Sequence, residues 1–186
     1  MPALIGHSVQ MTVARQAVLV TGLYGAGKSS LAAEMAERLE RADLSFGAVD
    51  VDWLAWYHLA PADGPPGGDL SRTNLAHIAD RYLSAGITRL ILAVAARTDV
   101  EVDALKRLIP CPVAVVRLDV GIDAIERRLT LDPTLGRAAD LEVPREWARL
   151  GLGRVAADLV LDGEDTLAAN AERVLTWLGW TAPGGS

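Results

Sequence analysis

The sequence predicts an α/β fold in which helices cover both faces of a parallel sheet, three layers in all. Apolar, β-branched runs of four to six residues alternate with stretches of helical periodicity along most of the chain. That one-to-one alternation is what parallel strands joined by crossover helices require. A glycine-rich turn joins the first run to the first helical stretch. With 186 residues, 51% of them apolar, the chain suffices for a single domain over 1–181. A chain of that size buries about 70% of its extended surface on folding.

The first strand is Ala17, Val18, Leu19 and Val20, and the helix after the turn places Leu31, Met35 and Leu39 four apart on one side. A second strand spans 46–51. Residues 61–68, with three prolines and three glycines, are incompatible with regular structure and read as a surface loop. Leu75, Ile78, Ala79, Tyr82 and Leu83 line a helix that stops at Gly86, and a third strand covers 89–94. Asp99 is placed to cap a helix bearing Val102, Leu105 and Leu108. A fourth strand at 113–118 leads to a helix carrying Ile122, Ile125 and Leu129. Residues 132–149 are polar and weakly periodic, an excursion over the site. The fifth strand is 158–161. The last helix groups Leu167, Ala171, Val174, Leu175 and Leu178 on one face, with Trp177 and Trp180 packing at its end, and 182–186 form a disordered tail.

The turn itself carries chemistry. Residues 22–29 fit the phosphate-binding P-loop pattern G-x-x-x-x-G-K-[S/T] between a strand and a helix. Its glycines let backbone N–H groups converge on phosphate oxygens, and the helix N-terminus adds about half a positive charge there. The candidate nucleotide-binding residues are Gly22, Tyr24, Gly25, Ala26, Gly27, Lys28, Ser29 and Ser30. Lys28 neutralises the outer phosphates, and the Ser29 hydroxyl holds Mg²⁺. Lys28 is one of only two lysines in the chain, which argues against a chance match.

A net charge of −6 argues against a general nucleic-acid or membrane-surface binder. Positive sites must be local, and sixteen arginines against two lysines point to guanidinium contacts, although GC-rich coding explains the same bias. The single Cys111 allows no internal disulfide and reads as a small buried apolar residue in a reducing compartment. No apolar run is long enough to cross a bilayer, and the first residues lack a signal-peptide arrangement, so a cytoplasmic location is expected. His7 and His77 have no partner pattern, and no His/Cys spacing suggests a resident metal. The chain is expected to act as a monomer or homodimer.

Asp50 and Asp52 end the second strand, at the carboxyl edge where open α/β sheets place ligands. Two apart on a strand, they share a face. Asp52 is the candidate base for an acceptor hydroxyl, and Asp50 a supporting contact to the loop or, through water, to the metal. Trp53, Trp56, Tyr57 and His58 follow, either as an apolar acceptor pocket or as the inner face of a helix packed on the sheet. Arginines are also needed, because the transferring phosphoryl group spreads charge over its equatorial oxygens. Arg127, Arg128 and Arg137 are the candidates; adjacent helical residues point about 100° apart, so only one of the first two faces the nucleotide, and Arg128 is chosen.

These features together resemble the nucleoside-monophosphate-kinase-like group of P-loop small-molecule kinases. No N/T-K-x-D segment exists to read guanine, and no strand ends in the Asp-Glu pair of ATP-driven motors. The finer resemblance is to adenylylsulfate kinases. Arg72 and Asn74 are similar to that family's Arg–Asn pair at the opening of the helix before strand three, though one residue closer together. Arg97 matches its arginine just past strand three, and Asp132, Pro133, Gly136 and Arg137 keep part of its lid segment. Its phenylalanine-containing substrate loop is absent, since the sole phenylalanine is Phe46. The resemblance implies a five-stranded sheet of order 2-3-1-4-5 with a lid at about 132–149, ATP and Mg²⁺ as cofactors, and a small-molecule hydroxyl acceptor. It implies catalytic roles for Lys28, Asp52, Arg128 and Arg137, and acceptor contacts from Asp50, Asp52, Trp53, Arg72, Asn74 and Arg97. A nucleotide-binding regulator without metabolite kinase activity is the alternative reading, and a polynucleotide 5′-kinase is disfavoured by the acidic balance.

Overall fold

The structure is a computed structural model of the chain, and it describes residues 14–58, 60, 69–131 and 138–181. Its elements in chain order are β1 (Gln16–Gly22), α1 (Lys28–Arg41), β2 (Gly47–Asp50), α2 (Val51–Leu54), α3 (Leu70–Ser84) and β3 (Arg89–Ala93). They continue with α4 (Asp99–Lys106), β4 (Val113–Asp119), α5 (Ile122–Leu131), α6 (Ala138–Leu150), β5 (Leu159–Asp162) and α7 (Leu167–Trp177). The five strands are all parallel and run in the order β2-β3-β1-β4-β5, as expected. The order reverses at β1, so the loop after β1 opens into the crevice at the switch point of the sheet.

Strand alternation builds two cores. Val18, Val20, Ile91, Ala93, Val116, Leu118 and Leu161 project to one face and pack under Leu31, Met35 and Leu39 of α1 and Ala171, Val174 and Leu175 of α7. Ala17, Leu19, Leu90, Leu92 and Val115 project to the other, against Leu75, Ala79 and Leu83 of α3 and Val102 and Leu105 of α4. β1 is buried on both faces almost throughout, which is why its sequence is continuously apolar. Trp180 is buried and donates its indole N–H to Gln16 Oε1 at 2.9 Å, fastening the end of the chain beside the start of β1.

Several local expectations are corrected. The second strand ends at Asp50 rather than Val51, because the Asp50 carboxylate accepts the Asp52 N–H and turns the chain into α2. Thr98, not Asp99, caps α4 by accepting from Glu101 N–H; the Asp99 carboxylate instead takes the Ala156 N–H at 2.7 Å. Leu167 is exposed rather than part of the apolar face of α7. Cys111 is half-buried, and burial raises its thiol pKa. Much of the 132–149 excursion is helical, α6, held to α5 by Arg145, whose Nε donates to Glu126 Oε1 at 2.6 Å. His7, the expected loop at 61–68, residues 132–137 including Arg137, and the expected tail at 182–186 lie outside the described residues.

Candidate active site

The site starts where β1 ends. Gly22 has φ 143°, and a Cβ there would stand 2.6 Å from the Leu118 carbonyl oxygen of the neighbouring β4. Only glycine lets the chain leave the sheet at this point. Five residues later Gly27, at φ 98° and ψ 20°, opens α1 with no side-chain cap. The other N-caps described all have one: Asp50, Asp69, Thr98 and Thr166 accept amide protons at the starts of α2, α3, α4 and α7. The start of α1 therefore offers amide donors and the positive end of its dipole to an anion.

Lys28, the first residue of α1, is 6% exposed and donates through Nζ to the Leu23 carbonyl oxygen at 3.1 Å. Burial lowers its pKa, opposed by the charges of Asp52 and Asp50. The ammonium is thus held across its own loop in a poorly solvated place, within the influence of two carboxylates that line the same cleft. Desolvation makes it a strong partner for an incoming polyphosphate.

Ser29 and Asp50 join α1 to the end of β2 through a hydrogen bond of 2.6 Å from the hydroxyl to Oδ2. Asp52 lies in α2 and not on the strand, so the shared face foreseen for the two aspartates does not exist. Both still point towards Lys28, because the Asp50 cap folds the chain back on itself. The two oxygens of Asp52 accept the Ala95 N–H at 3.2 Å each, which anchors the carboxylate to the segment just past β3. Its pKa is raised, first by desolvation and further by Asp50; the Ala95 N–H and Lys28 act the other way. Thr21, fully buried at the end of β1, accepts the next amide, Ala96 N–H, at 3.3 Å and fixes the same segment from below.

A cleft of about 530 Å³ runs along this surface, lined among others by Tyr24, Gly25, Lys28, Asp50, Asp52 and Arg128. Trp53 and Trp56 also line it; they stack on each other with ring centroids 4.7 Å apart and an interplanar angle of 25°. At 64% and 68% exposed, with Tyr57 at 44%, they are not the inner face of a helix on the sheet, which removes one of the two readings of this cluster.

The arginines are more committed than their sequence suggests. Arg128 lines the cleft, with its guanidinium donating to Ala26 O at 3.1 Å and to Gly163 O at 2.6 Å, so it bridges the phosphate loop and the end of β5. Arg97 forks onto Glu101 through Nε at 2.9 Å and Nη2 at 2.6 Å. Arg72 pairs through Nε with Asp69 at 3.0 Å, and Asn74 is exposed on α3. Glu101 was not anticipated. Its i, i+4 spacing from Arg97 was the available signal, but the segment between them is only partly helical. Thr21 was also missed, since a threonine in a buried strand carries no mark of its partner.

The groups present fit a metal–nucleotide complex rather than a resident ion. Among the described residues no cluster of three or more His, Cys, Asp or Glu could hold a metal by itself. One hydroxyl and one carboxylate oxygen, Ser29 Oγ and Asp50 Oδ2, stand beside a cationic loop, the donor set for an ion that brings most of its ligands with it.

No protein-family model matches the chain, and no curated protein matches it. Solved structures do. A sugar kinase from Janibacter sp. is 24% identical with a TM-score of 0.64, the match covering 92% of this chain and 97% of that one. The adenylylsulfate (APS) kinase of Mycobacterium tuberculosis, in complex with AMPPNP and APS, is 19% identical with a TM-score of 0.62, over 89% and 98%. A shikimate kinase from Acinetobacter baumannii, in complex with shikimate, is 18% identical with a TM-score of 0.56, over 91% and 95%. The chain has the fold of the P-loop small-molecule kinases. No helix among the described residues is long and apolar enough to cross a membrane.

Proposed function

We propose that this protein is an ATP-dependent kinase that transfers the γ-phosphoryl group to a hydroxyl of a small metabolite. The observation that carries the proposal is the convergence of an uncapped helix start, a buried Lys28 and an anchored Asp52 on one cleft. A phosphate-binding loop alone would serve any nucleotide binder. A carboxylate fixed across from the loop lysine serves the acceptor side of a phosphoryl transfer.

In this reading the amides at the start of α1 bind the triphosphate, and Lys28 exchanges its Leu23 carbonyl partner for phosphate oxygens. Ser29 and Asp50 would hold Mg²⁺, which when bound spreads and neutralises the negative charge of the β- and γ-phosphates. Asp52 orients the acceptor hydroxyl and accepts its proton at a carboxylate oxygen. Its raised pKa, caused chiefly by burial, makes it a better base than a solvated aspartate. Arg128 stiffens the nucleotide side of the cleft by tying Ala26 to Gly163. Arg137 is proposed to contribute positive charge to the transferring group.

The acidic balance of the chain and the size of the cleft favour a small-molecule acceptor over nucleic acid or a membrane surface. Incubation with γ-labelled ATP, Mg²⁺ and a panel of hydroxyl metabolites tests the proposal. Label recovered on an organic product supports it. Label released only as slow inorganic phosphate favours a nucleotide-holding regulator.

A further inference from the structure

Resting on the kinase reading, we infer that the acceptor is an uncharged hydroxyl compound carrying a flat apolar ring, the ring lying on the Trp53–Trp56 pair and the hydroxyl at Asp52. The two indoles, stacked on one another, lining the cleft and left largely to water, form a broad flat apolar surface on the same cleft as Asp52. A planar occupant would remove that area from water and continue the stack. The stack is also firmly placed. Trp53 sits in α2 next to Asp52, and Trp56 follows three residues later, with its N–H bonded to the Trp53 carbonyl at 3.1 Å. Both indoles line the same cleft as Asp52 and Lys28, so a ring seated on them can present a substituent hydroxyl to the Asp52 carboxylate.

Charge selects against an anionic acceptor. Arg97, just past β3, and Arg72, on α3, are already paired with Glu101 and Asp69, and Arg128 is committed to the Ala26 and Gly163 carbonyls. Glu101 also feels the charge of Arg72, so with Asp69 the four side chains form one group of no net charge beside the segment that anchors Asp52. A carboxylate, sulfate or phosphate on the acceptor would meet guanidiniums whose charge Glu101 and Asp69 already balance. It would also bring a further negative charge beside Asp50 and Asp52. A neutral acceptor brings no such charge.

The test crosses ring with charge. The full-length protein is titrated calorimetrically, with and without Mg²⁺ and a non-hydrolysable ATP analogue, using four probes: 1-phenylethane-1,2-diol, mandelate, glycerol and glycerate. The phenyl diol is expected to bind about tenfold more tightly than glycerol and more tightly than mandelate. Trp56→Ala, with Trp53→Ala as a second variant, should erase the ring preference; both side chains are exposed, so unchanged thermal melting is expected and checks folding. Glu101→Gln frees Arg97 and should raise mandelate affinity several-fold.

Mandelate or glycerate binding more tightly than its neutral counterpart would overturn the inference. So would a ring preference that is absent, or that survives loss of both indoles, or no binding of any probe at tens of millimolar. The two readings fail differently. Loss of the kinase reading shows as absent phosphoryl transfer while the ring and charge preferences persist in the titrations. Loss of this inference shows as efficient transfer to anionic or ringless acceptors.

Discussion

The Ser29 hydroxyl donates to the Asp50 carboxylate across 2.6 Å, linking the first turn of the loop helix to the end of the neighbouring strand β2. These residues lie twenty-one positions apart in the chain, and both line the cleft. The bond also holds Asp50 in two jobs at once, since its other oxygen caps α2 through Asp52 N–H. Movement of Asp50 towards a metal would therefore be felt at Asp52.

Lys28→Ala should abolish transfer while leaving the fold intact. The loss is expected to be at least ~10²-fold in kcat, the scale seen when a preorganised charge is removed from a developing anion. Removing a desolvated ammonium also relieves a burial cost, so thermal melting should show no large decrease. Steady-state kinetics and a melting curve on the same preparation check both halves.

Asp52→Asn should separate chemistry from nucleotide binding. The amide retains one acceptor for the Ala95 N–H but cannot take a proton, so kcat should fall by about 10²-fold or more. ATP affinity, measured by calorimetry, should change little. A normal kcat would leave Asp52 with only its anchoring role.

The titration of Asp52 has a definite sign. Desolvation raises its pKa above 3.8, Asp50 adds to the rise, and Lys28 opposes it. In metal-free protein, carbon-detected NMR of the carboxyl should place the midpoint above the ordinary aspartate value. Asp50→Asn removes a like charge and should move it down; Lys28→Ala removes an opposite charge and should move it up. In the kinetics, activity should rise with pH as Asp52 deprotonates, along a limb displaced upward from a solvated aspartate's.

Gly22→Ala should destabilise the protein through backbone strain and a steric clash. The new methyl meets the Leu118 carbonyl oxygen at 2.6 Å on a backbone at φ 143°. Strain of this kind costs of order 1–3 kcal/mol, and relief by shifting β1 against β4 would disturb the loop itself. Urea denaturation should show a lower midpoint at unchanged slope.

Arg128→Lys keeps the charge but not the fork. One ammonium cannot reproduce the paired bonds to Ala26 O and Gly163 O that span the loop and the end of β5. KM for ATP should rise about tenfold, the effect of losing a two-pronged contact worth ~1.5 kcal/mol. An unchanged KM would make the bridge incidental.

Much of this was legible in one dimension. The alternation of apolar runs and helical stretches fixes an α/β sheet, because strands buried on both faces must be continuously apolar and their crossovers must be amphipathic. The phosphate loop was equally plain, since Gly22, Gly27, Lys28 and Ser29 act through backbone freedom and local spacing within one turn. Asp50 and Asp52 were found by position, but the pleat was the wrong template: a side chain that caps the next turn ends its own strand. Where partners are distant, the sequence is silent. Whether Trp53 and Trp56 face a core or a cleft depends on what packs over α2, and whether Arg97 or Arg72 is free depends on carboxylates brought beside it by the fold. Those are properties of tertiary contact, where burial and charge pairing are decided by neighbours that no local pattern names.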